Sequence, residues 1–253
     1  MSGHSKWKQI KRQKGVADQK RGQAFTKLAN AITIAVHASA AAGLSAGDPA
    51  QNFRLRLTIE KARSSNMPKE NITRAIEKGM GKRGEDIEEV VYEGFSPGGA
   101  AVIVIAATDN KLRTTGEVKN FFEKSGGSFG QPGSVSYQFE NKGVIVVALE
   151  THSVDDIFLI AADAGAEDVE QIGDEVLVYT KPDVLAKIKD VLAAHSLNIL
   201  EADLIRKPKM NLQIDNRETA EKIIAFIDKL EDMDDVQKVY TNAVIIDTIE
   251  PQI

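Results

Sequence analysis

The chain has 253 residues, 42% of them hydrophobic, which is enough to build two or three small cores and excludes disorder throughout. It has no cysteine, so disulfides, thiolate metal sites and thiol nucleophiles are excluded. The formal net charge of −5 conceals an uneven distribution: residues 1–83 hold 17 basic and five acidic residues, whereas residues 84–253 hold 15 basic and 32 acidic ones. This separation is typical of a protein whose basic part binds nucleic acid or another acidic surface, the alternative being a well-solvated basic face.

The first thirty residues are the most basic segment, because Asp18 is the only acid among eight cations. These cations are Lys6, Lys8, Lys11, Arg12, Lys14, Lys20, Arg21 and Lys27. Lysine and arginine that neutralise phosphates release condensed counterions, so this segment is a candidate phosphate-binding arm. Trp7, between Lys6 and Lys8, could stack on a base or anchor the arm to the rest of the protein, and both alternatives stay open.

A basic start followed by the apolar run Ala29–Val36 and by Ala38-Ser39-Ala40 has the order of a secretory signal. The basic region is too long for such a signal and contains Asp18. No stretch approaches the roughly 20 apolar residues of a membrane span. We therefore expect a cytoplasmic protein without a membrane partner.

Three helices are predicted in the basic segment. Apolar residues from Phe25 to Val36 recur at helical spacing and predict a first helix that ends at Gly43. Asp48-Pro49 is typical of an N-cap followed by proline at the first helical position and predicts the start of the second helix. A third helix is predicted from Pro68 to Gly79.

The second predicted helix supplies further cations at a regular spacing. Arg54 and Lys61 are seven residues apart, as are Arg56 and Arg63, so each pair lies on one side of the helix. We expect these four side chains to contact a phosphate backbone together. The candidate nucleic-acid-binding residues are Lys6, Trp7, Lys8, Lys11, Arg12, Lys14, Lys20, Arg21, Lys27, Arg54, Arg56, Lys61 and Arg63.

Beyond the linker Gly81–Gly84, alternating apolar residues predict an α+β region. The predicted order is a hairpin (Val90–Phe95 and Ala101–Ala107), a helix containing Val118 and Phe122, a strand Ser134–Phe139, a turn Asn141–Gly143, a β-α-β-β-α-β unit from Val144 to Ile205, a strand Lys209–Ile214, a helix Arg217–Leu230 and a strand Val236–Tyr240. The order from Val144 to Ile205 is that of a ferredoxin-like unit. Its first helix is predicted at Val154–Ala164, opened by the capping box Ser153-x-x-Asp156 and ended by Gly165.

The sequence therefore predicts an α+β multidomain protein, in which an N-terminal three-helix domain precedes two ferredoxin-like α+β domains, one inserted in the other. The predicted bounds are 1–83 for the basic helical domain, 84–141 with 207–253 for the discontinuous domain, and 142–206 for the insert.

Several segments along the chain closely resemble the YebC/PmpR family. They are Gly3-His4-Ser5-Lys6-Trp7, Ile10-Lys11-Arg12, Lys20-Arg21-Gly22, Phe25-Thr26-Lys27-Leu28, Asn66-Met67-Pro68-Lys69, Tyr92-Glu93-Gly94, Pro97-Gly98-Gly99, Thr108-Asp109-Asn110 with Arg113, and Gly133-Ser134-Val135. The resemblance implies a three-domain architecture and a role as a transcriptional regulator, whereas the mitochondrial relatives are translational activators of cytochrome oxidase synthesis. The alanine-rich stretch Ala38–Gly47 and the acidic linker Glu85–Glu89 depart from the family pattern.

An enzyme is the least favoured alternative. Ser96–Gly99 with Asp109 and Arg113 could form a phosphate-handling site, but the pattern fits neither a Walker loop nor a dinucleotide fingerprint. The four histidines, His4, His37, His152 and His195, are scattered and predict no metal site. We expect no catalytic residue, no metal and no cofactor.

The favoured function is a nucleic-acid-binding regulator of gene expression, acting as a DNA-binding transcriptional regulator through the basic N-terminal domain. The alternative is a translation factor associated with the ribosome and ribosomal RNA, because lysine-rich segments contact phosphate without recognising bases. The acidic domains are candidate surfaces for the ribosome or the transcription machinery.

Overall fold

The computed structural model describes residues 18–41, 46–81, 87–150 and 152–246. Its helices are α1 (Asp18–Ala41), α2 (Phe53–Ser64), α3 (Lys69–Gly79), α4 (Lys111–Lys124), α5 (Val154–Ala164), α6 (Leu185–Ala194) and α7 (Arg217–Glu231). Its strands are β1 (Glu88–Phe95), β2 (Ala101–Thr108), β3 (Ser128–Phe129), β4 (Phe139–Ala148), β5 (Asp168–Ile172), β6 (Glu175–Thr180), β7 (Ile199–Pro208), β8 (Leu212–Ile214), β9 (Val236–Thr241) and β10 (Ala243–Ile245). The predicted α+β fold class is confirmed.

Helices α1, α2 and α3 form a bundle around one apolar core. Ile32, Ala35 and Val36 of α1 are buried there against Leu55 of α2 and Ile72 of α3. The apolar run that has the order of a signal sequence is thus the core face of a long helix. Burying such a face supplies most of the stability of a helix in water.

The predicted start of the second helix at Asp48 is wrong. A carboxylate oxygen of Asp48 accepts from Ala50 N at 2.9 Å, and the Asp48 carbonyl accepts from Gln51 N at 3.1 Å, which closes a turn. The N-cap of α2 is Asn52, whose side-chain oxygen accepts from Leu55 N at 3.0 Å. The helix therefore begins four residues later than the Asp-Pro pattern indicates.

The first sheet has the order β3-β1-β2-β9, and its pairs are antiparallel. Helices α4 and α7 cover one face, where Phe122 packs edge-on against Phe226 with ring centroids 5.1 Å apart. On α1, Ile34 forms a second cluster with Ile87 and Ala107 of the sheet region. The helical bundle and the first sheet therefore share buried apolar contacts.

The predicted strand Ser134–Phe139 is wrong, because Ser136–Gln138 is a 3-10 helix and β3 at Ser128–Phe129 takes the edge position beside β1. The N–H groups of Val135 and Ser136, which a strand would use for its ladder, donate instead to the carboxylate of Glu93. A remote side chain thus replaces the sheet as the partner of this backbone.

The predicted turn at Asn141–Gly143 is also wrong, because β4 runs through it from Phe139 to Ala148. Gly143 pairs with Leu204 on one side and Thr180 on the other. A Cβ on Gly143 would lie 2.4 Å from the hydroxyl of Thr180 and 2.9 Å from Cβ of Leu185. Glycine here permits close approach of a neighbouring strand and helix.

The segment from β4 to β7 has the sheet order β5-β6-β4-β7 with antiparallel pairs. This is the ferredoxin-like arrangement predicted from the β-α-β-β-α-β order. Helix α5 has the predicted capping box of Ser153 and Asp156 and ends at Gly165 in the left-handed conformation. The ends of α5 therefore match the sequence prediction.

The described residues divide into two compact units. The inserted unit contains Gln138–Gln213 with residues 244–246, and the outer unit contains residues 18–137 and Ile214–Ala243. The predicted insert, 142–206, begins inside β4 and ends inside β7. The predicted strand Lys209–Ile214 is shortened to β8, which pairs with β10 in a separate two-stranded sheet.

Candidate nucleic-acid interface

Asn52 fixes the rotation of α2 and hence the direction of its cations. Its amide donates to the carbonyl of Ala35 at 2.9 Å and to the carbonyl of Ala46 at 3.1 Å, while its oxygen caps α2. The Asn52 side chain is buried, so these bonds are shielded from water. Leu55 and Ile59 then face the core.

The four cations of α2 do not lie on one face. Arg54 and Arg56 are two residues apart, which in an α-helix is a rotation of about 200°, so the two pairs occupy nearly opposite flanks. Arg54 forms a salt bridge with Glu89 at the start of β1. The guanidinium of Arg56 lies over the ring of Phe53, 5.1 Å from its centroid. The two pairs therefore face different sides of α2, and contact of all four cations with a phosphate backbone stays a prediction.

The two flanks of α2 have different surroundings. On the Arg54 flank, Leu57 is only 8% exposed, although it lies far around the helix from the core residue Leu55. On the other flank, Arg63 is exposed in the last turn of the helix. Arg56 and Arg63 form this second flank of α2, and we call the two residues the outer arginine pair.

Lys27 also makes an internal contact. Its ammonium donates to the carbonyl of Glu231 in the last turn of α7. The amide of Gln23, one turn earlier, donates to the carbonyl of Asp232 at 2.7 Å and to a carboxylate oxygen of Asp234 at 2.8 Å. A cation at the C-terminal end of a helix is favoured by the helix dipole, so Lys27 holds α1 against the end of α7.

The remaining predicted residues are placed as follows. Lys20 and Arg21 belong to the first turn of α1, and Lys61 lies in the last turn of α2. Six predicted residues lie outside the described ranges, namely Lys6, Trp7, Lys8, Lys11, Arg12 and Lys14. Sequence reasoning omitted Lys69 and Arg74, which are exposed on α3. The amphipathic pattern of α3 was the signal that could have identified them.

The segment Thr108-Asp109-Asn110 with Arg113 builds a polar junction at the start of α4. Asn110 caps the helix by accepting from Arg113 N at 3.1 Å. The Arg113 guanidinium contacts Asp109 at 3.0 Å and Asp235 at 2.9 Å. Burial raises the pKa of Asp235, but the bonds from Thr114 and Arg113 lower that pKa by more, which keeps the carboxylate ionised.

A polar cleft of about 180 Å³ lies beside this junction, lined in part by Asn30 of α1 and Lys78 of α3. The Ser96–Gly99 loop, which the enzyme alternative assigns to phosphate binding, does not line this cleft. That loop is at the opposite end of β2 from Thr108, about 23 Å away at the usual strand rise. The hydroxyl of Ser96 is buried and donates to the carbonyl of Pro97 at 3.1 Å. The sequence elements of the enzyme alternative are therefore not brought together.

Glu93 connects two of the segments that carry the family resemblance. One carboxylate oxygen accepts from Gly133 N at 2.9 Å, and the other accepts from Val135 N at 2.7 Å and from Ser136 N at 2.8 Å. Burial raises the pKa of Glu93, but the bonds from Gly133, Val135 and Ser136 lower that pKa by more. The ionised side chain thus holds the loop that precedes β4.

Neither a membrane span nor a metal site is found among the described residues. No helix in those ranges is long and apolar enough to cross a bilayer. The same ranges contain no group of three or more histidine, aspartate or glutamate residues that could hold a metal ion.

Comparison with solved structures identifies a protein of similar fold. A conserved hypothetical protein from Aquifex aeolicus has a crystal structure with a TM-score of 0.83 and 42% sequence identity, and the match covers 93% of this chain and 95% of that one.

Comparison with curated proteins gives relatives of nearly equal length, each named "Probable transcriptional regulatory protein". The relative from Roseiflexus castenholzii is 48% identical over 100% of this chain and 98% of its own. The relative from Chloroflexus aurantiacus is 50% identical over 96% of this chain and 95% of its own. The relative from Sulfurihydrogenibium is 46% identical, with 98% of each chain covered.

Two family descriptions match nearly the whole chain. Residues 5–82 match the TACO1/YebC protein N-terminal domain. Residues 87–243 match the TACO1/YebC second and third domain. The predicted resemblance is confirmed, and the chain belongs to the TACO1/YebC family.

Proposed function

We propose that the protein is a nucleic-acid-binding regulator of gene expression that contacts phosphates through residues 1–83. The observation that carries the proposal is the charge separation, because these residues hold 17 basic and five acidic residues in a chain of net charge −5. The names of the relatives support a role in transcription regulation. We place this activity in the cytoplasm.

Residues 1–17 and the outer arginine pair are the proposed contact region. Residues 1–17 hold five cations and no acid. Arg56 is held over Phe53 and Arg63 is exposed at the end of α2. Lys27 and Arg54 are not part of this region, because each is engaged with the α+β part of the outer unit.

Salt dependence of binding tests the proposal in the full-length chain. If six or more phosphates are neutralised, affinity for a duplex should fall about a thousandfold or more between 50 and 200 mM salt. Arg56→Gln with Arg63→Gln should reduce the slope of log affinity against log salt by about two, since each lost phosphate contact removes about one. Arg54→Gln is the matched control and should leave the slope unchanged. A flat salt plot, or an equal effect of the control, would refute the proposal.

A translation factor bound to ribosomal RNA is the second candidate. It is favoured by the kind of contacts available, since lysine and arginine contacts to phosphate position a protein without specifying sequence. Titration of the intact protein against duplex DNA, single-stranded RNA and ribosomes at one salt concentration separates the candidates. Crosslinking in cells, followed by sequencing of the recovered nucleic acid, identifies the physiological target.

A further inference from the structure

Helix α5 of the inserted unit has large apolar side chains on two sides. Ile157 and Ala161 are buried against the sheet. Phe158 and Leu159 point outward and are 51% and 61% exposed. A helix on a protein surface ordinarily turns polar residues to the solvent. Adjacent large apolar side chains left in water mark an interaction site more often than isolated ones do.

A groove adjoins Leu159 on one flank of α5. It lies between α5 and α6, has a volume of about 230 Å³ and is lined by Ile160, Ala164 and Val191 together with Asp163, Lys187 and His195. Leu159 precedes Asp163 by four residues, so the two lie side by side at the rim. We call Leu159 and the adjoining groove the α5 surface. Phe158 is two residues from Ile160, about 200° around the helix, and lies on the other flank.

The charge around the α5 surface indicates the kind of partner. Helix α5 carries Asp155, Asp156 and Asp163 and no basic residue. Asp155 and Asp163 lie four residues before and four residues after Leu159, so the two carboxylates flank it along one side of the helix. Such a field repels phosphate and attracts a cationic partner.

We propose that the α5 surface binds a basic, amphipathic segment of another protein. An apolar side chain of the partner enters the groove between Ile160 and Val191, and its cations face Asp155 and Asp163. This is the helix-in-groove mode of recognition, in which apolar anchors at helical spacing supply the affinity. The activity is additional to nucleic-acid binding and lies on a different compact unit.

A designed peptide tests the chemistry in the full-length protein. The probe is an 18-residue helical peptide with leucines on one face and lysines on the other, and its matched counterpart has glutamates in place of the lysines. We expect Leu159→Ser to weaken binding of the lysine peptide about tenfold, as loss of an interface anchor does. Phe158→Ser, on the other flank of α5, should leave binding unchanged. Leu112→Ser is the control, because Leu112 is 88% exposed on α4, in the outer unit.

Asp163→Asn measures the contribution of charge. It should weaken binding of the lysine peptide and leave the melting temperature of the protein unchanged. A photo-reactive residue at position 159 should then crosslink in cells to a protein segment of net positive charge. Equal binding of the two peptides, no loss in Leu159→Ser, or crosslinking only to nucleic acid or to a second copy of the chain would overturn the proposal.

Discussion

Replacing Glu93 by glutamine tests how the outer unit holds its loop. Glutamine has nearly the same shape, but only one of its two terminal atoms accepts a hydrogen bond. At least one of the three donors, Gly133 N, Val135 N or Ser136 N, must then face an amide nitrogen. Glu93 is only 6% exposed, so water cannot replace the lost acceptor freely.

The magnitude follows from the number and type of bonds. A hydrogen bond to a charged group contributes about 1.5–3 kcal/mol, a neutral one about 1 kcal/mol, and an unpaired buried N–H costs about 1–3 kcal/mol. Allowing for non-additivity, we expect Glu93→Gln to lower the free energy of unfolding by about 3 kcal/mol. For a protein of this size that corresponds to a fall in melting temperature of about 6–12 °C.

The assay is urea unfolding followed by circular dichroism, with Glu89→Gln as control on the same strand. Glu89 pairs with Arg54 near the surface, where such a pair contributes less than about 1 kcal/mol. Amide hydrogen exchange should also become faster at Gly133, Val135 and Ser136. Equal effects of the two substitutions, or unchanged exchange in the loop, would show that the carboxylate does not hold it.

The stability contributed by Glu93 depends on pH in a definite direction. The folded-state pKa of Glu93 is lowered, so its stabilisation is fully present above the unfolded pKa of about 4.3 and is lost as pH falls through the lower folded value. The difference between wild type and Glu93→Gln should therefore be constant near neutral pH and shrink below about pH 4.3. A difference that stays constant into the acid range would contradict this reasoning.

Two further pairs of variants test packing and capping. Gly94→Ala should destabilise the protein by several kcal/mol, because a Cβ would lie 2.4 Å from the Ser128 carbonyl oxygen. Gly116→Ala should stabilise it by about 0.5–1 kcal/mol, because a Cβ there would meet no neighbouring group within 4 Å. Thermal melting measures both changes, and a shift of the same sign in the two variants would contradict the expectation. Asn52→Ala should lower the free energy of unfolding by about 2–4 kcal/mol, because it removes the helix cap and leaves two carbonyls without their donor. Asp48→Ala should lower it by about 1 kcal/mol or less, as measured by urea unfolding. A larger loss at Asp48 would mean that the turn, not the Asn52 cap, starts α2.

Local sequence signals predicted the elements whose ends are defined by neighbouring residues. Ser153, Asp156 and Gly165 lie within or next to α5, and they gave its bounds correctly. The strand predicted at Ser134–Phe139 failed for the opposite reason, because its backbone is held by Glu93, some forty residues earlier in the chain. Alternation of apolar residues carries no information about such a remote partner.

The candidate site likewise was predicted where local information suffices and missed where remote partners decide. Charge counting identified the basic segment, and that count needs no structure. It could not distinguish the outer arginine pair from Lys27 and Arg54, whose partners Glu231 and Glu89 come from other parts of the chain. Helical spacing alone would have revealed that Arg54 and Arg56 lie on opposite flanks, since each residue turns the helix by about 100°.

The insertion has a consequence for synthesis on the ribosome. Strand β2 ends at Thr108, but its outer neighbour β9 begins at Val236, after residues 138–213 of the inserted unit have been made. The inserted unit is almost contiguous in sequence and can fold as soon as it emerges, as domains generally do during translation. Until β9 and α7 arrive, the nascent first sheet exposes the open edge of β2 and the apolar face that Phe226 later covers. This interval is the point in the life of the protein at which chaperone binding or mispairing of the unfinished sheet is most probable.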